Sequence, residues 1–137
     1  MSIRVLPPVT ITGHRSSGSG TPDHPMRVAT RRAAGLDPSG WTTTLRDDVE
    51  HYFDQLAPEW HTRSSPERVA VTEDALARGV PEVGHRRGLA IEVGSGVGTY
   101  SGLIAQRWWP VLSVDLSHEM LRRAPADPGV RVQADGA

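Results

Sequence analysis

The stretch Leu89-Ala-Ile-Glu-Val-Gly-Ser-Gly-Val-Gly98 decides the fold of this chain. Its short apolar run, residues 89–93, is followed by three glycines at alternate positions. This pattern is typical of a buried strand that turns tightly into a helix, because glycine lets the backbone turn without a Cβ in the way. Free N–H groups at the start of such a helix favour a small ligand across the turn, at the carboxyl end of the strand.

Strands and helices alternate after this stretch. The sequence predicts a helix over residues 100–109, a strand over 111–115, a helix from Ser117 to Arg123 and a strand over 130–133. Such alternation predicts an α/β fold, with a Rossmann-like parallel sheet and crossover helices.

Two amphipathic helices are predicted before the first strand. Apolar residues recur at helical spacing over residues 45–57, and either Thr43 or Thr44 is suited to cap this helix. A second helix is predicted to begin after Ser65, which is followed by a proline, and to end at Gly79.

The first 43 residues have a different composition from the rest. They are rich in glycine and proline and poor in aromatic residues, so they bury too little apolar surface to offset their ordering entropy. We therefore divide the chain into a flexible tail, residues 1–43, and a domain, residues 44–137, and expect disorder over residues 1–30. Met26 is an alternative start of translation.

Composition excludes several classes of function. The chain has 137 residues, of which 37% are hydrophobic and 23% are charged, as in a globular protein. It has no cysteine, which excludes disulfides, thiolate metal sites and a cysteine nucleophile. A net charge of −1 gives no electrostatic case for nucleic acid or an anionic membrane as a partner. The histidines show no ligand spacing, and no apolar run is long enough to span a membrane, so we expect no metal and a cytoplasmic location.

Glu92 discriminates between ligands of opposite charge. A dinucleotide fingerprint reads G-x-G-x-x-G, whereas here Gly98 comes one residue early. A carboxylate beside a pyrophosphate would cost on the order of 4 kcal/mol at 4 Å and an effective dielectric near 20, whereas it would attract a cationic ligand. The alternative is that Glu92 is a solvated strand end or an ion-pair partner of an arginine.

Two aspartates follow the next strands. Asp115 ends the second predicted strand, where a carboxylate can accept hydrogen bonds from both hydroxyls of a ribose. The alternative is that Asp115 is the N-cap of the following helix, but Ser117 already fills that position. Asp135 lies two residues past the third strand, within reach of an adenine amino group, and its alternative is a turn before Gly136.

Together, residues 92–98, 111–121 and 130–135 resemble the first three motifs of class I S-adenosylmethionine-dependent methyltransferases, and are most similar to those that act on small molecules. The resemblance covers roughly residues 45–137, and residues 52–61 resemble the entry helix that such enzymes lay over the cofactor. It implies methyl transfer from S-adenosylmethionine to a small-molecule acceptor. The resemblance also implies which residues contact the cofactor. Its methionine part would be contacted by Gly94, Ser95 and Gly96, within a motif completed by Gly98, and its ammonium by Glu92. Its ribose would be contacted by Asp115, and its adenine by Leu116, Asp135 and Gly136.

The chain departs from that family in the number of its strands. The family's sheet has seven strands and this chain supplies about three, so we expect a fragment whose own activity is partial or absent. Residues 89–93 would then form an open apolar edge, which favours self-association. The catalytic residues remain unassigned. The alternatives are a fragment of a nicotinamide-dependent Rossmann oxidoreductase and a remnant that binds the cofactor without turnover.

The remaining polar and aromatic residues give weaker indications of function. Tyr52, Trp60 and His61 are candidates to line a cofactor or substrate cavity, although packing or surface positions are favoured for them. Ser95 and Ser101 have no histidine and acid at suggestive spacing, so a nucleophilic serine is not expected.

Overall fold

A computed structural model of the chain describes residues 24–79, 86–126 and 129–136. Within them, three parallel strands form one sheet: β1 (Arg86–Val93), β2 (Trp108–Asp115) and β3 (Gly129–Gln133). Strand β2 lies in the middle, and helices α4 (Ser101–Ala105) and α5 (His118–Arg123) connect successive strands. The predicted α/β fold, a Rossmann-like parallel sheet with crossover helices, incomplete at three strands, is confirmed.

The strand register brings the predicted site residues to one edge of the sheet. Val93 pairs with Val114, and Asp115 pairs with Gln133. Because the strands are parallel, all three carboxyl ends meet at this edge. The turns that follow the three strands are therefore neighbours, as the motif interpretation requires.

The helix predicted over residues 100–109 is wrong in its extent. Helix α4 ends at Ala105, and β2 already begins at Trp108. The tryptophans suit a pleated strand better than a short helix, and they pair with the start of β1. Pro110 is accommodated inside the strand because the register shifts at this point, between Arg87 and Ala90, and proline is tolerated at such irregularities.

Disorder over residues 1–30 is also wrong for the part that the structure describes. Helix α1 spans Pro25–Ala33, with Pro25 in its first turn and the His24 ring accepting a hydrogen bond from the Met26 N–H at 3.2 Å. A proline at the first helical position has no N–H of its own to leave unpaired, which favours a helix start here. Residues 1–23 lie outside the described residues, and the boundary at residues 43 and 44 stays a prediction.

The helices between α1 and the sheet largely follow the sequence pattern. Helix α2 spans Thr43–Leu56, and its cap is Thr42 rather than Thr43 or Thr44, since the Thr42 hydroxyl accepts from the Leu45 N–H at 3.2 Å. A 3-10 helix, Ala57–Arg63, follows it. Helix α3, Pro66–Gly79, begins after the predicted cap, with the Ser65 hydroxyl accepting from the Arg68 N–H at 3.3 Å.

The buried core is small and centres on β2 and α5. Val111, Met120 and Leu121 are buried there, whereas Ile91 and Val93 on β1 are 60% and 66% exposed. Strand β1 therefore presents apolar side chains to solvent, as the open-edge interpretation expects. Self-association through this edge stays a prediction. Among the described residues, no helix combines the length and apolar character needed to cross a bilayer.

Candidate functional site

The turn after β1, which we call the glycine turn (residues 94–98), requires its glycines. Gly94, Gly96 and Gly98 have φ angles of 72°, 55° and 73°, in the left-handed region that other residues adopt only under strain. The N–H groups of Gly94 and Ser95 both donate to the carbonyl of Val114, at 2.8 and 3.0 Å. The turn is thereby held against the end of β2.

Asp115 points at the glycine turn. Its Oδ2 accepts a hydrogen bond from the Gly96 N–H at 2.7 Å, and its Oδ1 accepts from the Ser117 N–H at 2.8 Å. An ionised carboxylate has about four acceptor positions, so both oxygens retain capacity for a further donor. The side chain is thus fixed in orientation and remains able to accept hydrogen bonds from a ligand.

A cavity of about 660 Å³ lies over this edge of the sheet. That volume falls within the roughly 300–1,000 Å³ usual for sites of small molecules and cofactors. One side of the cavity, which we call the strand wall, is formed by the residues that follow the strands. It contains seven of the residues predicted for the cofactor, namely Gly94, Ser95, Gly96, Asp115, Leu116, Asp135 and Gly136.

Ser95 has an unused polar group in this wall. The residue is only 6% exposed, and its hydroxyl has no hydrogen-bond partner among the described residues. A buried hydroxyl without a partner carries a desolvation cost that a polar ligand would remove. This orphaned group, together with the spare capacity of Asp115, fits a polar ligand lying across the turn.

The structure places Glu92 outside the cavity lining. Its Oε2 accepts a hydrogen bond from the Ser101 hydroxyl at 2.5 Å, and Ser113 lies against the same carboxylate. Burial raises the pKa of Glu92 above its ordinary value, although these serine hydroxyls partly counter that shift. Glu92 is therefore neither a solvated strand end nor the partner of an arginine among the described residues. Its contact with a ligand ammonium stays a prediction, which this geometry does not favour.

Gly98 also lies outside the cavity lining, and its part in cofactor binding stays a prediction. A Cβ at this position would meet the Ala124 side chain and the Ser101 hydroxyl at 3.3 Å. The glycine therefore serves close packing beneath the turn, where the first helical crossover passes the end of α5. Its spacing in the motif is explained by this packing and by its positive φ.

Asp135 already has a partner from the N-terminal part of the chain. Its Oδ2 accepts a hydrogen bond from the Trp41 Nε1 at 2.7 Å. The neighbouring Gly136 passes so close to β1 that a Cβ there would stand 2.9 Å from Val93 Cγ1. Both residues line the cavity, and their contact with adenine stays a prediction. The position of Trp41 was not foreseen.

A second part of the cavity lining, which we call the helical wall, comes from the segments before β1. Of the three aromatic candidates, Trp60 lines the cavity, whereas Tyr52 and His61 do not. The Trp60 ring packs edge-on against Phe53, with centroids 5.8 Å apart, and its Nε1 would be 3.8 Å from a Cβ on Gly96. The helical wall comprises Thr30, Ala33, Ala34, Trp41, Val49, Phe53, Trp60, Arg63, Ser64 and Arg68.

Sequence reasoning missed most of this wall. Val49 and Phe53 lie four residues apart on α2, a spacing that marks a common face. That spacing predicts an apolar stripe without saying what it covers. For α1 the composition indicated disorder, so no signal pointed to Ala33 as a cavity residue.

Hydrogen bonds between α2 and the start of α5 join the helical wall to the strand wall. Asp54 on α2 accepts hydrogen bonds from the Ser117 hydroxyl at 2.5 Å and the Glu119 N–H at 3.1 Å. Ser117 is fully buried, and its hydroxyl in turn accepts from the Met120 N–H at 3.1 Å. The predicted cap of α5 thus also anchors α2.

Comparisons with protein-family models, with curated proteins and with solved structures find no match to this chain.

Proposed function

We propose that the protein binds S-adenosylmethionine and belongs to an enzyme that transfers its methyl group to a small-molecule acceptor. The observation that carries the proposal is the convergence of the glycine turn, Asp115 and Asp135 on one cavity of about 660 Å³. The resemblance to the methyltransferase motifs supports the same ligand. We also propose a cytoplasmic location.

The residues present fit the chemistry of this cofactor. Asp115 retains capacity to accept hydrogen bonds from ribose hydroxyls, and the Ser95 hydroxyl and the backbone of the turn suit the methionine part. Leu116 offers an apolar contact for adenine beside Asp135. The two aspartates disfavour a pyrophosphate and favour a ligand that carries an ammonium and a sulfonium.

The cofactor, when bound, supplies a methyl group on a positively charged sulfur. The chain's own part is to hold the nucleoside on the strand wall and to exclude water with the aromatic side chains of the helical wall. Alignment of a nucleophile with the methyl carbon accounts for much of the rate in such a displacement, because it replaces an encounter in solution. The acceptor's proton goes to solvent, and no residue is assigned as a base.

Calorimetry tests the proposal directly. The protein should bind S-adenosylhomocysteine, the product of methyl transfer, and should not bind NAD under the same conditions. Binding of NAD alone would support the oxidoreductase alternative. A panel of small phenols, amines and carbon acids, each supplied with S-adenosylmethionine, tests turnover. If the protein binds S-adenosylhomocysteine but methylates none of them, the result would support a remnant without catalysis.

A further inference from the structure

Charge is divided between the two walls of the cavity. The carboxylates in the lining, Asp115 and Asp135, both belong to the strand wall. Among the described residues, the arginines in the lining, Arg63 and Arg68, both belong to the helical wall. If the strand wall holds the cationic cofactor, the two arginines belong to the part of the lining left for the acceptor.

Within the described part of the chain, neither arginine forms an ion pair. Among residues 24–79, 86–126 and 129–136, neither Arg63 nor Arg68 has a carboxylate within salt-bridge distance. The nearest acids along the sequence, Glu59 and Glu67, do not line the cavity. These two positive charges are therefore available to an anion that enters it.

Both arginines are exposed, and a ring contact orients one of them. Arg63 lies over the Trp60 ring, 6.0 Å from its centroid, a cation–π position that limits the freedom of the guanidinium. Ser64, which belongs to the same lining, follows Arg63 directly and precedes the start of α3. Arg68 lies in the first turns of that helix, where the helix dipole also favours negative charge. We call Arg63, Ser64 and Arg68 the basic corner.

Three aromatic residues belong to the same cavity lining as the basic corner. Phe53, Trp60 and Tyr100 line the cavity together with it. Such rings provide an apolar surface for a flat ligand, whereas the two parallel N–H donors of a guanidinium match the two oxygens of a carboxylate.

We propose that the basic corner binds the carboxylate of an aromatic or similarly flat acceptor. This inference rests on the proposed function, since it takes the strand wall to be the cofactor side. It specifies the acceptor class as a small organic anion, in place of an unspecified small molecule. Arg63 and Arg68 are binding residues in this proposal and have no role in the transfer itself.

The test uses three carboxylates as probes, benzoate, phenylacetate and indole-3-acetate, each paired with its uncharged amide. Binding is measured by ligand-observed NMR on the full chain, with and without S-adenosylhomocysteine. We expect at least one carboxylate to bind about tenfold more tightly than its amide, and the double variant R63Q/R68Q to remove that preference. The matched control is Arg27→Gln, because Arg27 is exposed on α1 and does not line the cavity.

The outcomes separate this inference from the proposed function. Loss of carboxylate preference in R63Q/R68Q, with affinity for S-adenosylhomocysteine unchanged, supports the basic corner as an acceptor site. A parallel loss of S-adenosylhomocysteine affinity assigns the arginines to the cofactor's own carboxylate and overturns the inference. Equal binding of acids and amides by the unmodified protein also overturns it. Failure to bind S-adenosylhomocysteine in every form of the protein overturns the proposed function instead.

Discussion

The strand wall and the helical wall enclose the same cavity but are specified in different ways. On the strand wall, each residue lies within a few positions of a strand end, and hydrogen bonds such as that from the Gly96 N–H to Asp115 fix its direction. On the helical wall, Trp41 and Trp60 reach the cavity through contacts between segments distant in sequence. Local turn geometry therefore determines the first wall, whereas tertiary packing determines the second.

The largest effect should follow from truncation of Asp115 on the strand wall. Asp115→Ala removes the acceptor assigned to the ribose and leaves the Gly96 N–H without its partner. Because hydrogen bonds to charged groups contribute roughly 1.5–3 kcal/mol each, S-adenosylhomocysteine should bind about 100-fold more weakly. Calorimetry measures the change. Asp48→Ala is the control, since Asp48 is exposed on α2, outside the cavity, and equal affinities of the two variants would refute the ribose role.

The next effect concerns the contact between the walls. Asp54→Ala leaves the buried Ser117 hydroxyl and the Glu119 N–H without their acceptor. The free energy of unfolding should fall by about 1–3 kcal/mol, the cost of an unpaired buried donor. Urea denaturation measures it, with Asp48→Ala on the same helix as control. Unchanged stability in Asp54→Ala would mean that α2 is held by its apolar face alone.

The difference between the walls explains how much the sequence could reveal. The three strands, the glycine turn and the direction of Asp115 were predictable, because parallel strands must place their carboxyl ends together. The extent of α4 was not, since Trp108 and Trp109 fit a helix end in isolation and join β2 only because β1 offers them partners.

Glu92 and Gly98 show a second limit on prediction. Both belong to the motif by spacing, yet Glu92 is bonded to Ser101 and Gly98 packs against Ala124. A motif identifies which residues matter together without saying which of them touch a ligand. The partners Ser101 and Ser113 are visible in the sequence, but nothing local indicates that they face this carboxylate.

A smaller effect should follow where the helical wall meets Asp135. Trp41→Phe keeps a ring in the lining and removes the Nε1 donor that bonds to the Asp135 carboxylate. Because the indole N–H no longer competes with the ligand for the Asp135 carboxylate, S-adenosylhomocysteine should bind about two- to fivefold more tightly. This gain is well below the contribution of one hydrogen bond to a charged group. Trp109→Phe is the control, because Trp109 is 47% exposed on β2 and does not line the cavity. Weaker binding in Trp41→Phe alone would show that the indole N–H contacts the ligand itself.

The smallest change in ligand affinity is expected at Glu92. Glu92→Gln should alter S-adenosylhomocysteine affinity by less than about twofold, because the side chain bonds to Ser101 and lies outside the lining. A tenfold loss, measured by the same calorimetry, would return Glu92 to the strand wall as a partner of the ligand's ammonium.

The same variant should change stability with a definite pH dependence. Burial raises the folded-state pKa of Glu92 above its ordinary value of 4.5, so the unfolded chain loses this proton first as pH rises. The stability contributed by the protonated form is complete below about pH 4.5 and is lost as pH rises through the folded-state pKa. Glutamine cannot lose that proton, so Glu92→Gln should match the parent in acid and exceed it in thermal stability at pH 7.

Glu119 provides the control of opposite sign. Hydrogen bonds from Arg122 and Arg123 lower the pKa of its carboxyl to about 2, so its ionised form stabilises the folded state above pH 4.5 and that contribution is lost as pH falls toward 2. Glu119→Gln should therefore be less stable than the parent at pH 7, with the deficit vanishing in acid. If thermal denaturation gave both variants the same pH trend, a general charge effect would explain them, and the burial of Glu92 beneath the glycine turn would lose its support.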